Sequence, residues 1–313
     1  MKLELLFPIH LRDALHKLEE LNGLEEIRVR VGQPLFFLTA LEELVLDKAN
    51  GQIRRCQMCQ NAYRITEADM VEILNYISNY SLYAWQEEIR NGYLTICGGH
   101  RIGLCGSTKN CGDRIDGISY LTFLNIRVAH ERRGCADEIL KYIRRERDDV
   151  YHTLFIAAPG VGKTTFLRDC IRSLSYGEGR FPGKKMGVID ERSEIAACYH
   201  GIPQNDIGPR TDVLDGCKKT EGMKMLLRSM SPEILAVDEL LTQAELDVVE
   251  EAAYCGCRII GTVHARDLSE FKEKLELTKW SQCRLFERFV VIEKEGNGER
   301  CVRVYNQQWE QLY

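Results

Sequence analysis

The stretch HTLFIAAPGVGKTTFLRDC, at residues 152–170, constrains this chain more than any other part of it. Residues 154–158 are all apolar, which is typical of a parallel strand that is covered on both faces. A turn with two glycines follows, and from Lys163 onward the apolar residues recur at helical spacing. An anion at this turn would lie at a helix N-terminus, where free N–H groups and the helix dipole favour negative charge. The stretch therefore predicts a phosphate-binding loop.

The residues of this turn are the candidate nucleotide contacts. Gly160 and Gly162 let the backbone approach a phosphate closely, and the charge of Lys163 suits the β- and γ-phosphates. The hydroxyl of Thr164 is placed to ligate Mg2+. The full pattern G-x-x-x-x-G-K-[ST] has glycine where this chain has Ala157, a position at which a small residue can serve. We expect ATP and Mg2+ as ligands, with the nucleotide bound by Pro159, Gly160, Val161, Gly162, Lys163, Thr164 and Thr165.

Length and composition indicate globular material with room for two domains, since the chain has 313 residues, 44% hydrophobic and 28% charged. No apolar run approaches the ~20 residues of a membrane-spanning helix. The N-terminus lacks the pattern of a signal peptide, so we expect a cytoplasmic protein. The formal net charge of −5 argues against broad nucleic-acid binding, and no nucleic-acid partner is expected.

The 13 cysteines predict reduced thiols and no disulfide framework, because a chain of this length without an export signal belongs to a reducing compartment. Cys56 and Cys59 form a C-x-x-C pair. A structural zinc site usually has two such pairs, and the second one is missing. Thiols without metal are therefore favoured, while zinc binding by this pair is left open.

Periodicity and turn residues divide the chain into two α/β domains. Residues 25–38 predict two strands joined by a Gly-Gln-Pro turn, and Thr66, followed three residues later by an acidic residue, predicts a capped helix. A charge run at 144–149 closes a later helical stretch and marks the expected domain boundary. We predict a smaller N-terminal domain at 1–148 and a nucleotide-binding domain at 149–313.

The second domain alternates strands and helices, the pattern of a doubly wound, mainly parallel sheet. Buried strands are predicted at 185–190, 234–238 and 258–263, and a helix at 243–254. A glycine-containing turn at 296–298 is expected to join two further strands into a hairpin at the end of the chain. The predicted fold class is α/β.

Two carboxylates directly follow the strand at 234–237. Asp238 and Glu239 would lie at the edge of the sheet where open α/β sheets bind their ligands. We predict that Asp238 holds Mg2+ and that Glu239 activates the attacking water as a general base. The alternative is an acidic helix cap after a buried strand.

Other polar residues follow the neighbouring strands. Glu191 and Glu194 come after the strand at 185–190 and could form a second acidic group around Mg2+ or the water; the alternative is a surface cluster of salt bridges. His264 follows the strand at 258–263, where it could sense the γ-phosphate or simply cap a helix.

Residues 196–229 are rich in glycine, proline and charge, and they predict a long functional loop. Four of its cations could reach phosphates in a neighbouring subunit and stabilise transition-state charge. These cations are Arg210, Lys218, Lys219 and Arg228. Arg210 is the candidate catalytic residue, Arg127 in the first domain is a further one, and spacing does not choose between them.

Several segments resemble the stage III sporulation protein AA family, ATPases of endospore-forming bacteria that are similar in turn to the hexameric ATPases of type II and type IV secretion. They are APGVGKTTFLRD at 158–169, VIDERSEIA at 188–196, GIPQNDIGPRTDVLDGC at 201–217, RSMSPEILAVDE at 228–239 and GTVHARD at 261–267. EEIRVRVGQPL at 25–35, GGHRIGLCG at 98–106 and NIRVAHERRGCA at 125–136 resemble the N-terminal domain of that family. The resemblance covers nearly the whole chain.

The resemblance implies a RecA-like P-loop NTPase domain behind a smaller α/β domain like that of secretion ATPases. By resemblance, the Walker A residues are Gly162, Lys163 and Thr164, the Walker B residues are Asp238 and Glu239, Glu191 and Glu194 lie in the acidic-box region, and His264 lies in the histidine box. Secretion ATPases usually carry Gly-Glu where this chain has Asp-Glu.

The family further implies a Mg-dependent ATPase that forms a ring, expected to be a homo-hexamer. The ring would dock on membrane components of the sporulation channel, at the inner membrane on the mother-cell side. Its role would be that of motor or assembly factor for the channel between mother cell and forespore.

Two rival functions use the same motifs. One is a nucleotide-gated scaffold, in which ATP orders a ring and hydrolysis is incidental; the water-activating carboxylate of Glu239 disfavours it. The other is an ATP-driven translocase of single-stranded nucleic acid, which the acidic balance of the chain disfavours.

Overall fold

A computed structural model describes residues 2–16, 18, 21, 23–56, 59–81, 85–111, 114–145, 148–277, 285–294 and 300–313. The chain divides into two compact units, Met1–His130 and Glu131–Tyr313. Among the described residues, no helix is long and apolar enough to cross a membrane.

The first unit is built on an antiparallel sheet. Its strands are β1 (Leu24–Arg30), β2 (Phe36–Thr39), β3 (Glu43–Leu46), β4 (Ile53–Arg55), β5 (Tyr93–Thr95), β6 (Arg101–Cys111) and β7 (Arg114–Arg127). They pair in the order β4-β3-β2-β1-β7-β6-β5. Its helices are α1 (Ile9–Leu15), α2 (Glu67–Ile77) and α3 (Gln86–Asn91), with 3-10 turns at Leu3–Leu6 and Cys59–Asn61.

Two local predictions for this unit are confirmed. The strands predicted at 25–38 are β1 and β2, which pair antiparallel. Thr66 caps α2: its hydroxyl accepts from the N–H of Asp69, while the carboxylate of Asp69 accepts from the N–H of Thr66. The inner face of α2 buries Met70, Ile73 and Ile77, so the cap fixes the start of a helix that packs on the core.

The second unit carries a seven-stranded sheet with helices on both faces. Its helices are α4 (Asp137–Ile143), α5 (Lys163–Tyr176), α6 (Lys219–Met230), α7 (Gln243–Tyr254) and α8 (Leu268–Leu277). Its strands are β8 (Arg144–Arg145), β9 (Asp149–Val150), β10 (Thr153–Ala157), β11 (Gly177–Glu178), β12 (Phe181–Pro182), β13 (Met186–Asp190), β14 (Thr211–Asp215), β15 (Ile234–Val237), β16 (Arg258–His264), β17 (Arg288–Lys294) and β18 (Arg300–Asn306).

The main sheet has the order β14-β13-β15-β16-β10-β17-β18. All neighbours are parallel except β17 and β18, which form the predicted antiparallel pair. The turn predicted at 296–298 lies outside the described residues. The predicted α/β class and mainly parallel sheet are confirmed.

Two apolar layers cover the sheet because successive side chains of a strand point to opposite faces. In β10, Phe155 packs with α4 and α5 in one cluster. Leu154 and Ile156 pack with α6, α7 and α8 in the other. This burial on both faces explains why β10, β13 and β15 were recognisable as continuous apolar runs.

The division into units falls upstream of the boundary predicted at 148/149. Helix α4 belongs to the second unit because its residues Ile139, Leu140 and Ile143 lie in the same apolar layer as the buried residues of α5. The charge run that suggested a domain boundary contributes instead to a small ribbon, in which β8 pairs with β9. Charged side chains are compatible with both a domain boundary and an exposed ribbon, so composition alone did not separate them.

The prediction of one long loop at 196–229 is wrong. Residues 211–215 form β14, an edge strand parallel to β13. Residues 219–230 form α6, whose inner face buries Met223 and Leu226. An edge strand is only partly buried and an amphipathic helix is half polar, so neither gives the continuous apolar run that identified the central strands.

The cap of α2 gives a direct test of local stability. Thr66→Ala should lower the free energy of unfolding by about 1 kcal/mol, because one side of the capping box is lost. Thr66→Ser keeps the hydroxyl and should lose much less. Urea denaturation of the three proteins measures the difference, and equal losses in both variants would contradict the role of the hydroxyl.

Candidate functional site

Four adjacent parallel strands end at one edge of the second unit's sheet. In spatial order they are β13, β15, β16 and β10. The phosphate-binding loop follows β10, Asp238 and Glu239 follow β15, His264 ends β16, and the loop with Glu191 and Glu194 follows β13. Parallel pairing therefore collects all the strand-end candidates at the edge where open α/β sheets bind ligands.

The phosphate-binding loop has the backbone that its sequence predicts. Gly160 and Gly162 have φ of +77° and +112°, a region that favours glycine. Gly162 is the N-cap of α5, so the turn opens directly onto a helix N-terminus. The guanidinium of Arg300 packs against Gly162, where a Cβ would lie 3.1 Å from Cζ of that arginine. Pro159, Val161 and Thr165 lie in the same turn or the first turn of α5.

Lys163 and Thr164 meet the carboxylates that follow β15. The buried ammonium of Lys163 lies 3.2 Å from Oδ1 of Asp238 and 3.0 Å from Oε1 of Glu239. The hydroxyl of Thr164 donates to Oδ2 of Asp238 over 2.8 Å. The two predicted magnesium ligands are thus in direct contact.

Thr262, on the strand between β15 and β10, organises both carboxylate residues. Its fully buried hydroxyl donates to Asp238 and accepts from the N–H of Glu239 over 2.8 Å. The sequence alone does not reveal this role, because a lone threonine in a strand carries no signal of it. The signal that could have identified Thr262 is a threonine near the end of the strand that pairs with the one preceding Asp238 and Glu239.

Glu239 is surrounded by a histidine and two cationic side chains. Its carboxylate lies 2.8 Å from Nε2 of His264 and 3.1 Å from the guanidinium of Arg192, besides its contact with Lys163. Burial acts to raise the pKa of Glu239, but the hydrogen bonds from Lys163 and His264, with the charges of Lys163 and Arg192, together lower it to about 2. The carboxylate is therefore ionised at neutral pH.

Glu194 joins this group, whereas Glu191 stands apart from it. Oxygens of Glu194, Asp238 and Glu239 all lie within 4.8 Å of one another. Glu191 lines the same cavity, but its carboxylate is directed to the ammonium of Lys219 at 3.5 Å. The acidic group predicted from the sequence therefore contributes one carboxylate to the cluster and one to an ion pair.

The loop that carries Glu194 is held by buried polar contacts. The carboxylate of Asp190 accepts from the N–H groups of Glu194, Ile195 and Ala196 over 2.8, 2.9 and 2.8 Å. Burial raises the pKa of Asp190 to about 6 despite these hydrogen bonds. Arg168, on α5, donates to the carbonyl oxygens of Glu194 and Ile195. The helix of the phosphate-binding loop therefore also positions Glu194.

The oxygen donors at this edge suit a hard divalent cation. Thr164, Asp238 and Glu194 supply a hydroxyl and carboxylates, which are the ligands that Mg2+ takes from proteins, usually alongside water and substrate phosphates. No cysteine lies in the cluster of possible metal-holding side chains found among the described residues. The residues present therefore fit Mg2+.

Lys219 lies inside this site, although its sequence context suggested a contact with a neighbouring subunit. Its buried ammonium donates to the backbone carbonyl of Glu239. It also lies 3.5 Å from the carboxylate of Glu191 and 3.4 Å from that of Glu245. Because all three partners belong to the same chain, Lys219 is a component of its own site.

Arg210 lies at the opposite, N-terminal end of the parallel strands. Its carbonyl accepts from the N–H of Met186, the first residue of β13, and its guanidinium donates to the carbonyl of Ser175 over 2.9 Å. Within one chain it is not part of the cluster around Lys163. Whether it serves a neighbouring subunit stays a prediction, as it does for Arg127.

With this geometry established, comparison with known proteins identifies the family. The family model described as "Sporulation stage III, protein AA" matches residues 3–312. The chain belongs to this family. Stage III sporulation protein AA of Bacillus subtilis (strain 168) is 36% identical to it over 301 residues, which is 96% of this chain and 92% of that protein.

Solved structures support the fold of this sporulation family member. The ATPase DotB of Legionella pneumophila matches with a TM-score of 0.59 and 16% identity, over 95% of this chain and 80% of that one. The pilus retraction motor PilT, with bound ADP, matches with a TM-score of 0.58 and 15% identity, over 94% of this chain and 81% of that one. The predicted fold, in which a smaller α/β domain precedes a RecA-like domain in the chain, is confirmed.

The phosphate-binding loop yields a test that depends on its backbone. Gly162→Ala should weaken binding of a fluorescent ADP analogue at least about tenfold, because φ of +112° strains a residue with a Cβ and Arg300 occupies the space. Gly179→Ala is the control: its φ is +59°, yet nothing lies within 4 Å of the added Cβ. It should bind the analogue normally, and similar losses in both variants would contradict the proposed geometry.

Proposed function

We propose that this protein is a Mg-dependent ATPase that hydrolyses the β–γ phosphoanhydride of ATP. The observation that carries the proposal is the direct contact of Lys163 and Thr164 with Asp238 and Glu239 at the mouth of a glycine-containing loop. A nucleotide-binding loop alone needs no carboxylate at this place, whereas hydrolysis needs a metal anchor and a group that activates water.

The arrangement suggests a division of labour among the residues. The N–H groups of the loop at 159–165 would bind the phosphates, and Lys163 would exchange its carboxylate partners for the β- and γ-phosphate oxygens. Mg2+, held by Thr164 and Asp238, would neutralise the charge that develops on the phosphates. Once Lys163 has moved, Glu239 loses one of the cations that lower its pKa and becomes a better base for the attacking water.

His264 and Glu194 would lie on either side of the attacking water. Nε2 of His264 contacts Glu239, so the ring can orient this carboxylate and respond to a γ-phosphate beside it. Glu194 brings a further carboxylate oxygen to the metal side of the cluster. Glu191 acts less directly, through its ion pair with Lys219.

The cellular role is proposed from the family. We infer that the ATPase acts as the motor or assembly factor of the channel between mother cell and forespore. This rests on the 36% identity to a stage III sporulation protein, and the fold shared with a pilus retraction motor agrees with it. The working form would be a homo-hexameric ring in the cytoplasm, docked on channel components at the inner membrane of the mother cell. In such a ring, Arg210 or Arg127 could act on the neighbour's nucleotide.

The decisive experiment compares steady-state ATP hydrolysis by the wild type, Lys163→Ala and Glu239→Gln. The wild type should turn over ATP only with Mg2+, and each variant should lose at least about a hundredfold in kcat, since one removes a phosphate contact and the other the base. Glu251→Gln, which changes an exposed glutamate on α7, is the matched control and should hydrolyse ATP at the wild-type rate.

Oligomeric mass, recorded with and without Mg-ATP, separates the motor from its rivals. A motor gains mass with nucleotide, and Glu239→Gln still assembles while failing to hydrolyse. If the wild type binds ATP and assembles but does not hydrolyse ATP, the protein is a nucleotide-gated scaffold, and the assignment of Glu239 as the general base is wrong. Salt-dependent binding of single-stranded DNA that stimulates hydrolysis would favour the translocase instead.

A further inference from the structure

We propose that Lys219 is a positioning residue for catalysis: it holds the peptide of Glu239 in the one conformation that directs this carboxylate at the attacking water. The inference rests on the proposed ATPase function and deepens it. The ammonium of Lys219 is directed at protein groups: the carbonyl of Glu239 and the carboxylates of Glu191 and Glu245.

Glu239 needs such support because its backbone is unusual. Its φ is +54°, in the left-handed region that residues with a Cβ rarely occupy. A strained residue of this kind persists only when its surroundings over-determine it, and such residues cluster at functional sites. The strain lies at the residue proposed to activate water, so whatever holds this peptide controls where the carboxylate points.

The contacts of Glu239 divide into side-chain and backbone contacts. Lys163, Arg192 and His264 contact its carboxylate. Its N–H is held by Thr262, and its carbonyl accepts from Lys219. A nucleotide would withdraw Lys163 from the carboxylate but leaves the backbone contacts in place. Thr262 and Lys219 would therefore keep the peptide fixed when the side chain is released to act as a base.

The surroundings of Lys219 match the donors of an ammonium group. An ammonium has three N–H donors, and Lys219 meets three acceptors: the carbonyl of Glu239 and the carboxylates of Glu191 and Glu245. The two carboxylates compensate the charge of a side chain that is buried to 7% exposure. A lysine that only neutralised carboxylates would not need the carbonyl of the proposed base as its third partner.

Lys219 also joins three elements at this point. It is the first residue of α6, Glu191 lies in the loop after β13, and Glu245 closes the capping box at the start of α7. The position of Glu239 is thereby tied to the packing of α6 and α7. A displacement of about 1 Å in a catalytic group can cost about a hundredfold in rate, so a positioning contact of this kind has measurable consequences.

The test uses Lys219→Met, which keeps most of the length of the side chain and removes the donors. It should lower kcat for ATP between about tenfold and a hundredfold, while the affinity for a fluorescent ADP analogue changes by less than about threefold. Lys224→Met, an exposed lysine on the same helix, is the matched control and should keep wild-type kcat. A purely structural lysine would instead lower kcat, affinity and melting temperature together.

Two further variants keep the outcome decisive. Lys219→Met placed in the Glu239→Gln background should cost less than about twofold in single-turnover rate, because the group that it positions is already absent; a full additional loss overturns the inference. Lys219→Arg retains the charge and protects folding, but its planar guanidinium cannot occupy the place of an ammonium against the Glu239 carbonyl. It should lose at least about threefold in kcat with unchanged nucleotide affinity.

If Lys219→Met does not fold, the positioning role of Lys219 is tested by Lys219→Arg alone. A wild-type kcat in Lys219→Arg overturns the inference. The proposed function is judged separately by the wild type. Wild-type hydrolysis with unaffected Lys219 variants rejects the role of Lys219 and leaves the ATPase standing. A wild type that never hydrolyses ATP rejects both.

Discussion

The ion pairs that Lys163 forms with Asp238 and Glu239 connect the two halves of the site. A buried ammonium without a partner is strongly destabilising, so the N-terminus of α5 and the end of β15 must come together for either to be stable. The same contact neutralises the carboxylate proposed to act as a base. In the proposed ATPase, binding of a nucleotide would be an exchange of partners, in which phosphates replace carboxylates around Lys163 and no new charge has to be buried unpaired.

The parallel sheet makes this cluster of side chains possible because it brings the carboxyl ends of four strands to one edge. The order of the strands in the sheet also determines which side chains meet in the site. Placing β16 between β15 and β10 puts Thr262 against Asp238 and the peptide of Glu239, and His264 against the carboxylate of Glu239. Arg168 and Asp190 extend the same organisation to the loop of Glu194 on the next strand. The site is therefore a property of neighbouring strands, each contributing a few polar groups beyond its last buried residue.

Sequence reasoning was accurate where one physical demand dominated. The central strands are buried on both faces, so their apolar runs revealed them, and the left-handed turn of the phosphate-binding loop needs glycine at positions where the sequence supplies it. Sequence reasoning failed for elements that are buried on one side and exposed to solvent on the other. β14 lies at an edge and α6 is half exposed, so both carry polar residues that are equally typical of a loop. The charge run at the expected boundary was ambiguous for the same reason.

By itself, the sequence determined the α/β class, the glycine-containing turn between β10 and α5, the two carboxylates after β15 and the family. These follow from local patterns, in which the identity and spacing of neighbouring residues decide the chemistry. Only the tertiary structure decided that Glu194 and not Glu191 lies with Asp238 and Glu239, that Lys219 contacts groups of its own chain, and that Thr262 contacts both Asp238 and Glu239. Those outcomes depend on which strands and helices become neighbours, because contacts between residues far apart in the chain are set by packing and pairing and not by spacing.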